Sequence, residues 1–362
     1  ALLALPSLYR VEATIHVEAL RTRDGRRVPI PPQAHEIRER GTAFAVAPGG
    51  WLVTARHVVA PDDATLARLA YQNTLAHARR PHSDAVAERW VDRTGARPVG
   101  ARLVELVVRQ ADAGEGALGS RTYMPTRLEP SDRADLALLR INARGAPALA
   151  LDESASIGTP VESLGFGTGG AFAEPARGAL EPAIRRGALA RTGLLEDDPQ
   201  QRQAILLTIP LEPGDSGAPV IDAAGNVRGV AVIRREDGGI AERATEVRQL
   251  LEQVGVEPGI GRSGQLFRGA MAAFWDLDMA AAQRGFAAAE RAFPDHTLAA
   301  HEGLRARQLA AADFDLVGER RRQGFLLALG ALAVAAAVAC AIGLARQGGR
   351  GRGSLRTPTE RG

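Results

Sequence analysis

Three segments of the chain carry side chains that together could cleave an acyl bond. His57 lies in GWLVTARHVVA (50–60), Asp135 opens DLALLRI (135–141), and Ser216 sits in Gly214-Asp215-Ser216-Gly217. A serine hydroxyl is a poor nucleophile until a base takes its proton. An imidazole serves when a buried carboxylate fixes its tautomer and steadies the imidazolium that forms. The tetrahedral intermediate then needs hydrogen-bond donors at its oxyanion. The Gly-Asp-Ser-Gly turn suits that need. Gly214 has no Cβ, so the backbone can turn sharply, and the N–H groups of Gly214 and Ser216 can aim at one point. For the acid, Asp132 is the rival of Asp135, but it lies in the polar run EPSDRAD and reads as a solvated loop residue.

The elements that must hold these groups are mostly strands. In VEATIHVEAL (11–20), Val11, Ala13, Ile15, Val17 and Ala19 share one face, a period of two that predicts a half-buried strand. Short apolar runs recur at 42–47, 51–54, 102–108, 136–141, 159–164, 204–209, 217–221 and 227–233, with turn residues between them. That pattern predicts a β-barrel or sandwich. Residues 61–100 depart from it: ATLARLAYQNTLAHARR (64–80) has helical spacing and marks an insertion between His57 and Asp135, which are 78 positions apart. A second helix is expected over 241–254, with Val247, Leu250, Leu251 and Val254 on one side.

Composition narrows the function. The 362 residues include 45% hydrophobic types, enough for a sizeable core. Net charge is +3, which gives no case for a nucleic-acid partner. The one cysteine, Cys340, excludes an intrachain disulfide, and no Cys/His spacing suggests a metal. No cofactor is implied. Gly165-Phe166-Gly167-Thr168-Gly169-Gly170 matches G-x-G-x-x-G formally, but AFAEPARG follows it where a nucleotide site needs a helix.

The carboxy-terminal third is helical in pattern. Phe267, Met271 and Phe274, then Ala282, Phe286, Ala289 and Phe293, keep a helical rhythm that Pro294 stops, and a third helix is expected over 297–311. Phe325 to Ala345 is 21 residues without a charge, about 30 Å of helix, the depth of a bilayer core. A transmembrane span is expected there, against the alternative of a buried helix. The Arg/Gly-rich tail 346–362 would then lie in the cytoplasm by the positive-inside rule, leaving the rest extracytoplasmic. Residues 1–9 read as a signal remnant or a lead-in.

Thr-Ala-x-His, Asp-Leu-Ala-Leu-Leu and Gly-Asp-Ser-Gly-x-Pro, in that order, resemble the trypsin-like (chymotrypsin clan) serine proteases, in particular their disulfide-free, HtrA-like bacterial branch. The resemblance covers residues 10–255. It implies a mainly-β fold of two six-stranded barrels, a triad of His57, Asp135 and Ser216, an oxyanion hole from Gly214 and Ser216, and protein or peptide substrates. It also implies a substrate pocket walled by Thr208, Pro210, Val232 and Arg234. Asp215 resembles the residue that pairs with a freed amino terminus in members activated by cleavage, though ALLALP does not resemble such a site. The insertion is a candidate lid over the cleft. A linker over 256–264 leads to the helical segment 265–318. Its residues 265–311 resemble a single tetratricopeptide-like hairpin, a candidate surface for a protein partner, or else form a plain stalk on the barrel. The reading is therefore a membrane-anchored endopeptidase. The alternative is a protease-fold scaffold, or a membrane sensor, that binds partners without turnover.

Overall fold

The structure is a computed structural model. It describes residues 1–111, 121–154, 156–167, 180–194, 203–235 and 238–312, with a few single positions between 317 and 333, and excludes the side chains of 233–235 and 297. The amino-terminal half contributes β1 (Leu8–His16), β2 (Ala19–Arg21), β3 (Arg27–Pro29), β4 (Glu36–Ala47), β5 (Trp51–Ala55), β6 (Arg97–Val99), β7 (Arg102–Gln110), β8 (Thr122–Tyr123), β9 (Arg127–Pro130) and β10 (Leu136–Arg140). The second half contributes β11 (Pro160–Gly165), β12 (Ala183–Leu194), β13 (Gln203–Leu207), β14 (Pro219–Ile221), β15 (Val227–Arg235) and β16 (Gly238–Arg243).

The alternation in β1 survives folding: Val11, Ala13 and Ile15 are buried, while Glu12 and Thr14 between them are half-buried. β1 is central in a seven-stranded antiparallel sheet ordered β8-β7-β1-β4-β5-β10-β9. The expectation of two six-stranded barrels is corrected here. Among the described residues only the second closes, in the order β11-β12-β13-β16-β15-β14, with β11 pairing back to β14. Among the same residues the first is an open sheet whose edge strands, β8 and β9, are two and four residues long and each pair on one side. One large apolar cluster, including Phe44, Leu52, Leu138, Leu164 and Val230, runs through both halves and joins them.

Between β5 and β6 the chain forms α1 (Arg56–Val59), α2 (Asp63–His77) and α3 (Asp84–Thr94). Asp62 caps α2 by accepting the N–H of Thr65 at 2.8 Å. The insertion packs on a three-stranded sheet, β3-β2-β6, around its own core of Leu20, Ile30, Leu66, Ala70 and Val91. Tyr71 of α2 stacks on Trp90 of α3 at 3.9 Å. It is thus a packed subdomain that begins one turn after His57.

The helices of the last third are α4 (Ala244–Gln253), α5 (Gly261–Trp275), α6 (Met279–Ala292) and α7 (Thr297–Ala311). β16 runs on to Arg243, so α4 starts later than the 241 expected. α5 begins inside the expected linker. Phe267, Met271, Ala282, Phe286, Ala289 and Leu298 form a separate core for α5–α7. Gly285 lets α6 approach α5 closely, since a Cβ there would meet Ala270 Cβ at 2.7 Å. Among the described residues no helix is long and apolar enough to cross a membrane. Most of 325–345, and all of the tail 346–362, lie outside the described residues.

Candidate active site

His57 sits in α1, the single turn that follows β5 directly. Pairing of Leu136 with Ala55 brings the start of β10 beside it. A tight turn aims Asp135: Ser131 Oγ accepts the N–H groups of Arg133 and Ala134 at 3.2 and 3.1 Å. Asp135 Oδ2 then lies 2.7 Å from His57 Nδ1, and Asp135 Oδ1 accepts the backbone N–H of His57 at 3.0 Å. With Nδ1 carrying a proton toward the carboxylate, Nε2 is left free to accept one. Asp132 is exposed, as its polar surroundings predict. Behind the pair, the buried carboxylate of Glu242 in β16 accepts the N–H of Asp135 at 3.0 Å, so the second barrel steadies the acid of the first.

Ser216 comes from the loop between β13 and β14 and is pinned against the first sheet through its backbone. Its carbonyl accepts the N–H of Thr42 at 2.8 Å. Gly217, at φ +89°, fits where a Cβ would lie 2.0 Å from Thr42 O and 2.9 Å from Ala55 N, two residues before His57. Gly214, at φ +97°, likewise leaves no room for a side chain, with Phe166 O 2.4 Å from a Cβ position. The N–H groups of Asp215, Gly217 and Ala218 donate to Glu212, Ala231 and Asp215 carbonyls. Among the described residues those of Gly214 and Ser216 donate to no partner, which leaves both available to an oxyanion. Ser216 Oγ makes no hydrogen bond to His57 among the described residues, and such bonds often tighten only when substrate binds.

The profile of the family described as "Trypsin-like peptidase domain" matches residues 41–230, more than half of the chain. The chain belongs to the trypsin-like peptidases. Two curated relatives, Serine protease MT3772 and Serine protease Rv3671c from two strains of Mycobacterium tuberculosis, are each 32% identical over 149 residues. That stretch is 40% of this chain and 36% of either relative, so the match spans about a third of their length. Among solved structures, the active form of the Rv3671c protease aligns over 71% of this chain and 85% of its own, at 17% identity and a TM-score of 0.44. An HtrA-type protease, AlgWS227A with decapeptide, aligns over 70% and 65%, at 17% identity and a TM-score of 0.43.

Electrostatics in this trypsin-like peptidase favour a protonatable His57. Burial alone would lower the imidazole pKa. The hydrogen bond and charge of Asp135, with the charge of Glu39, outweigh it and raise the pKa above its ordinary 6.5. Arg68 of α2 opposes them, so the insertion borders the site closely enough to be felt there. Glu39 itself is pushed up by burial, and the charges of His57 and Arg68 only partly offset that.

Thr42 belongs to the site and lies outside the three motifs. Its buried hydroxyl donates to Gly214 O at 2.8 Å and accepts the N–H of Phe166 at 3.0 Å, while its carbonyl accepts from Thr54 Oγ1 at 2.7 Å. One side chain of the first sheet thereby holds two loops of the second barrel. The only signal in the sequence was a threonine opening the otherwise apolar run 42–47. Of the expected pocket residues, Thr208 and Pro210 are exposed, and Thr208 Oγ1 accepts the N–H of Ala188 at 2.9 Å. Val232 is 4% exposed and packs into the main core. The side chain of Arg234 lies outside the described residues.

Proposed function

We propose that this chain is a serine endopeptidase that cleaves protein or peptide segments through an acyl-enzyme. The observation that carries the reading is the two-point grip of Asp135 on His57, together with a serine loop in which, among the described residues, the N–H groups of Gly214 and Ser216 donate to no partner. His57 Nε2 takes the Ser216 Oγ proton as Oγ attacks the scissile carbonyl. The oxyanion is met by the N–H groups of Gly214 and Ser216. The imidazolium gives its proton to the leaving amine, and water, activated by the same base, releases the acyl group.

The protease is held at a membrane by residues 325–345, with its catalytic part extracytoplasmic and its tail cytoplasmic. Support comes from the uncharged length of that run and from Leu326, Leu327, Leu329 and Leu332, which have helical backbone and are 46–75% exposed. The α5–α7 unit, with its own core, offers a surface for a protein partner.

A fluorophosphonate probe tests the chemistry. The full chain is expected to label, and Ser216→Ala is expected not to. A folded wild-type chain that never labels would favour the scaffold reading. Carbonate extraction of expressing membranes tests the anchor: the chain stays in the pellet, and deletion of 325–345 releases it.

A further inference from the structure

The insertion carries a groove with an excess of positive charge. Two cavities of about 810 and 640 Å³ run along it, and Thr22 and Arg23 line both, so the two are continuous. Arg21, Arg23 and Arg97 line the first, and Arg23, Arg26 and Arg93 line the second. Among the described residues none of these arginines forms an ion pair. Two arginines of the same region outside the groove are paired instead, Arg27 with Glu18 at 2.6 Å and Arg68 with Asp84 at 2.7 Å. Three aspartates, Asp24, Asp63 and Asp92, lie among the groove arginines and leave them in excess. Asp24 is turned into its own loop, where it accepts from Thr22 Oγ1 and from the backbone N–H of Arg26.

The walls are fixed by packing. Arg23 lies across Gly95, where a Cβ would meet Arg23 Nε at 3.0 Å, and its backbone N–H donates to Thr94 O at 2.9 Å. The stacked pair of Tyr71 and Trp90, both half-buried, gives the second cavity an aromatic side. Guanidinium forks match carboxylates, and a ring edge packs the apolar stem of a glutamate. α2 joins the groove to the active site. Asp63 and Ala64 at its start line the first cavity, while the charge of Arg68, about 8 Å further along its axis, reaches His57. Asp63 is six positions after His57, so at most about 22 Å separates them.

We infer that this groove is a second docking site, which takes an acidic segment of a polypeptide substrate and holds it while a bond elsewhere in that polypeptide is cut. The aspartates set among the arginines suit separate carboxylates better than a continuous polyphosphate, and the groove opens within reach of a peptidase site. The role in cleavage rests on the hydrolase reading above; binding of the segment does not.

The full chain carrying Ser216→Ala, titrated against fluorescein-labelled octaglutamate and followed by anisotropy, tests the binding without turnover. The peptide is expected to bind at about 50 mM salt, at least tenfold more weakly at about 500 mM, and octaglutamine is expected not to bind. Arg23→Gln with Arg93→Gln should weaken binding by roughly five- to tenfold, the worth of two exposed charge contacts. Arg79→Gln with Arg80→Gln, exposed arginines of the same insertion outside the groove, should leave it within about twofold. An equal loss in the two pairs overturns the proposal. So does octaglutamine binding as well as octaglutamate, or a single-stranded oligonucleotide of equal charge binding more tightly. Should the first pair fail to fold, Arg26→Gln with Arg97→Gln replaces it with the same expectations. In the active chain, a run of glutamates added to a peptide substrate should lower KM by roughly fivefold with kcat unchanged, because ground and transition states are held alike. Arg23→Gln with Arg93→Gln should cancel that gain, and a KM that ignores the glutamates overturns the role in cleavage. A chain that binds octaglutamate through these arginines but never labels with fluorophosphonate supports the groove and removes the hydrolase reading alone.

Discussion

Asp135 holds His57 at two points, the ring through Nδ1 at 2.7 Å and the backbone N–H at 3.0 Å. A single contact would leave the ring free to swing; two fix both its tautomer and the place of its turn. Asp135→Asn keeps the shape but presents an amide that can donate to Nδ1, trapping the wrong tautomer. A fall in kcat of roughly 10³–10⁴ is expected, with melting within a few degrees of wild type. Steady-state kinetics beside a melting curve checks it, and activity within tenfold of wild type would count against this acid.

The raised pKa of His57 sets the acid limb of activity. The base must be neutral, so kcat/KM should rise with pH through a value above 6.5. Glu39 helps hold that value up, so Glu39→Gln should move the limb to lower pH. A limb that stays put or moves upward would show that the Glu39 charge does not reach the ring. For stability, a folded pKa above the unfolded one means that protonated His57 contributes below pH 6.5. That contribution is lost as pH rises through the folded value.

Thr42→Val removes a hydroxyl at nearly constant volume and strands two part-buried groups, Phe166 N–H and Gly214 C=O. Each is expected to cost about 1 kcal/mol, the low end for a group left unpaired, because neither is fully buried. Denaturant unfolding should show the loss, kcat should fall with it, and Thr42→Ser should recover most of both. Equal stability in the Val and Ser variants would mean that the hydroxyl holds neither loop.

Gly167→Ala would set a methyl group 2.5 Å from Asp215 Oδ1 and 3.0 Å from Arg185 Nη2. Slower fluorophosphonate labelling is expected with the α5–α7 unit unaffected. Hydrogen exchange separates the two regions, and protection lost throughout the chain would point instead to general unfolding.

His296 caps α7 by accepting the N–H of Ala299 on Nδ1 at 3.1 Å, which requires that nitrogen to be bare. Burial lowers its pKa from 6.5 to about 4. A lowered histidine pKa means full stability above pH 6.5, eroding below it, with on the order of 3 kcal/mol lost once pH passes below 4. Urea unfolding at pH 7 and pH 4.5 should show the loss in wild type. It should shrink in His296→Asn, which caps without titrating. An equal loss in the two would assign the acid sensitivity elsewhere.

Strands with clean patterns, such as β1 and β10, were legible because their faces are simply apolar or polar. β12 and β16 were not, and each carries an inward charge: Arg185 in β12 reaches Asp215, and Glu242 in β16 reaches the N–H of Asp135. A buried ion pair or charge-assisted hydrogen bond breaks the alternation that identifies a strand. Thr42 was missed for a related reason, since a lone hydroxyl at the start of an apolar run looks like any β-branched residue.

The chain order of His57, Asp135 and Ser216, and the glycines around Ser216, were determined by sequence alone, because the chemistry needs those residue types and the turn needs those backbones. Tertiary structure decided which half closes into a barrel and which cation answers Asp215, and it packed Val232 into the main core. Those outcomes depend on partners far apart in the chain, as Thr42 and Gly214 are, and no local period records where such partners meet.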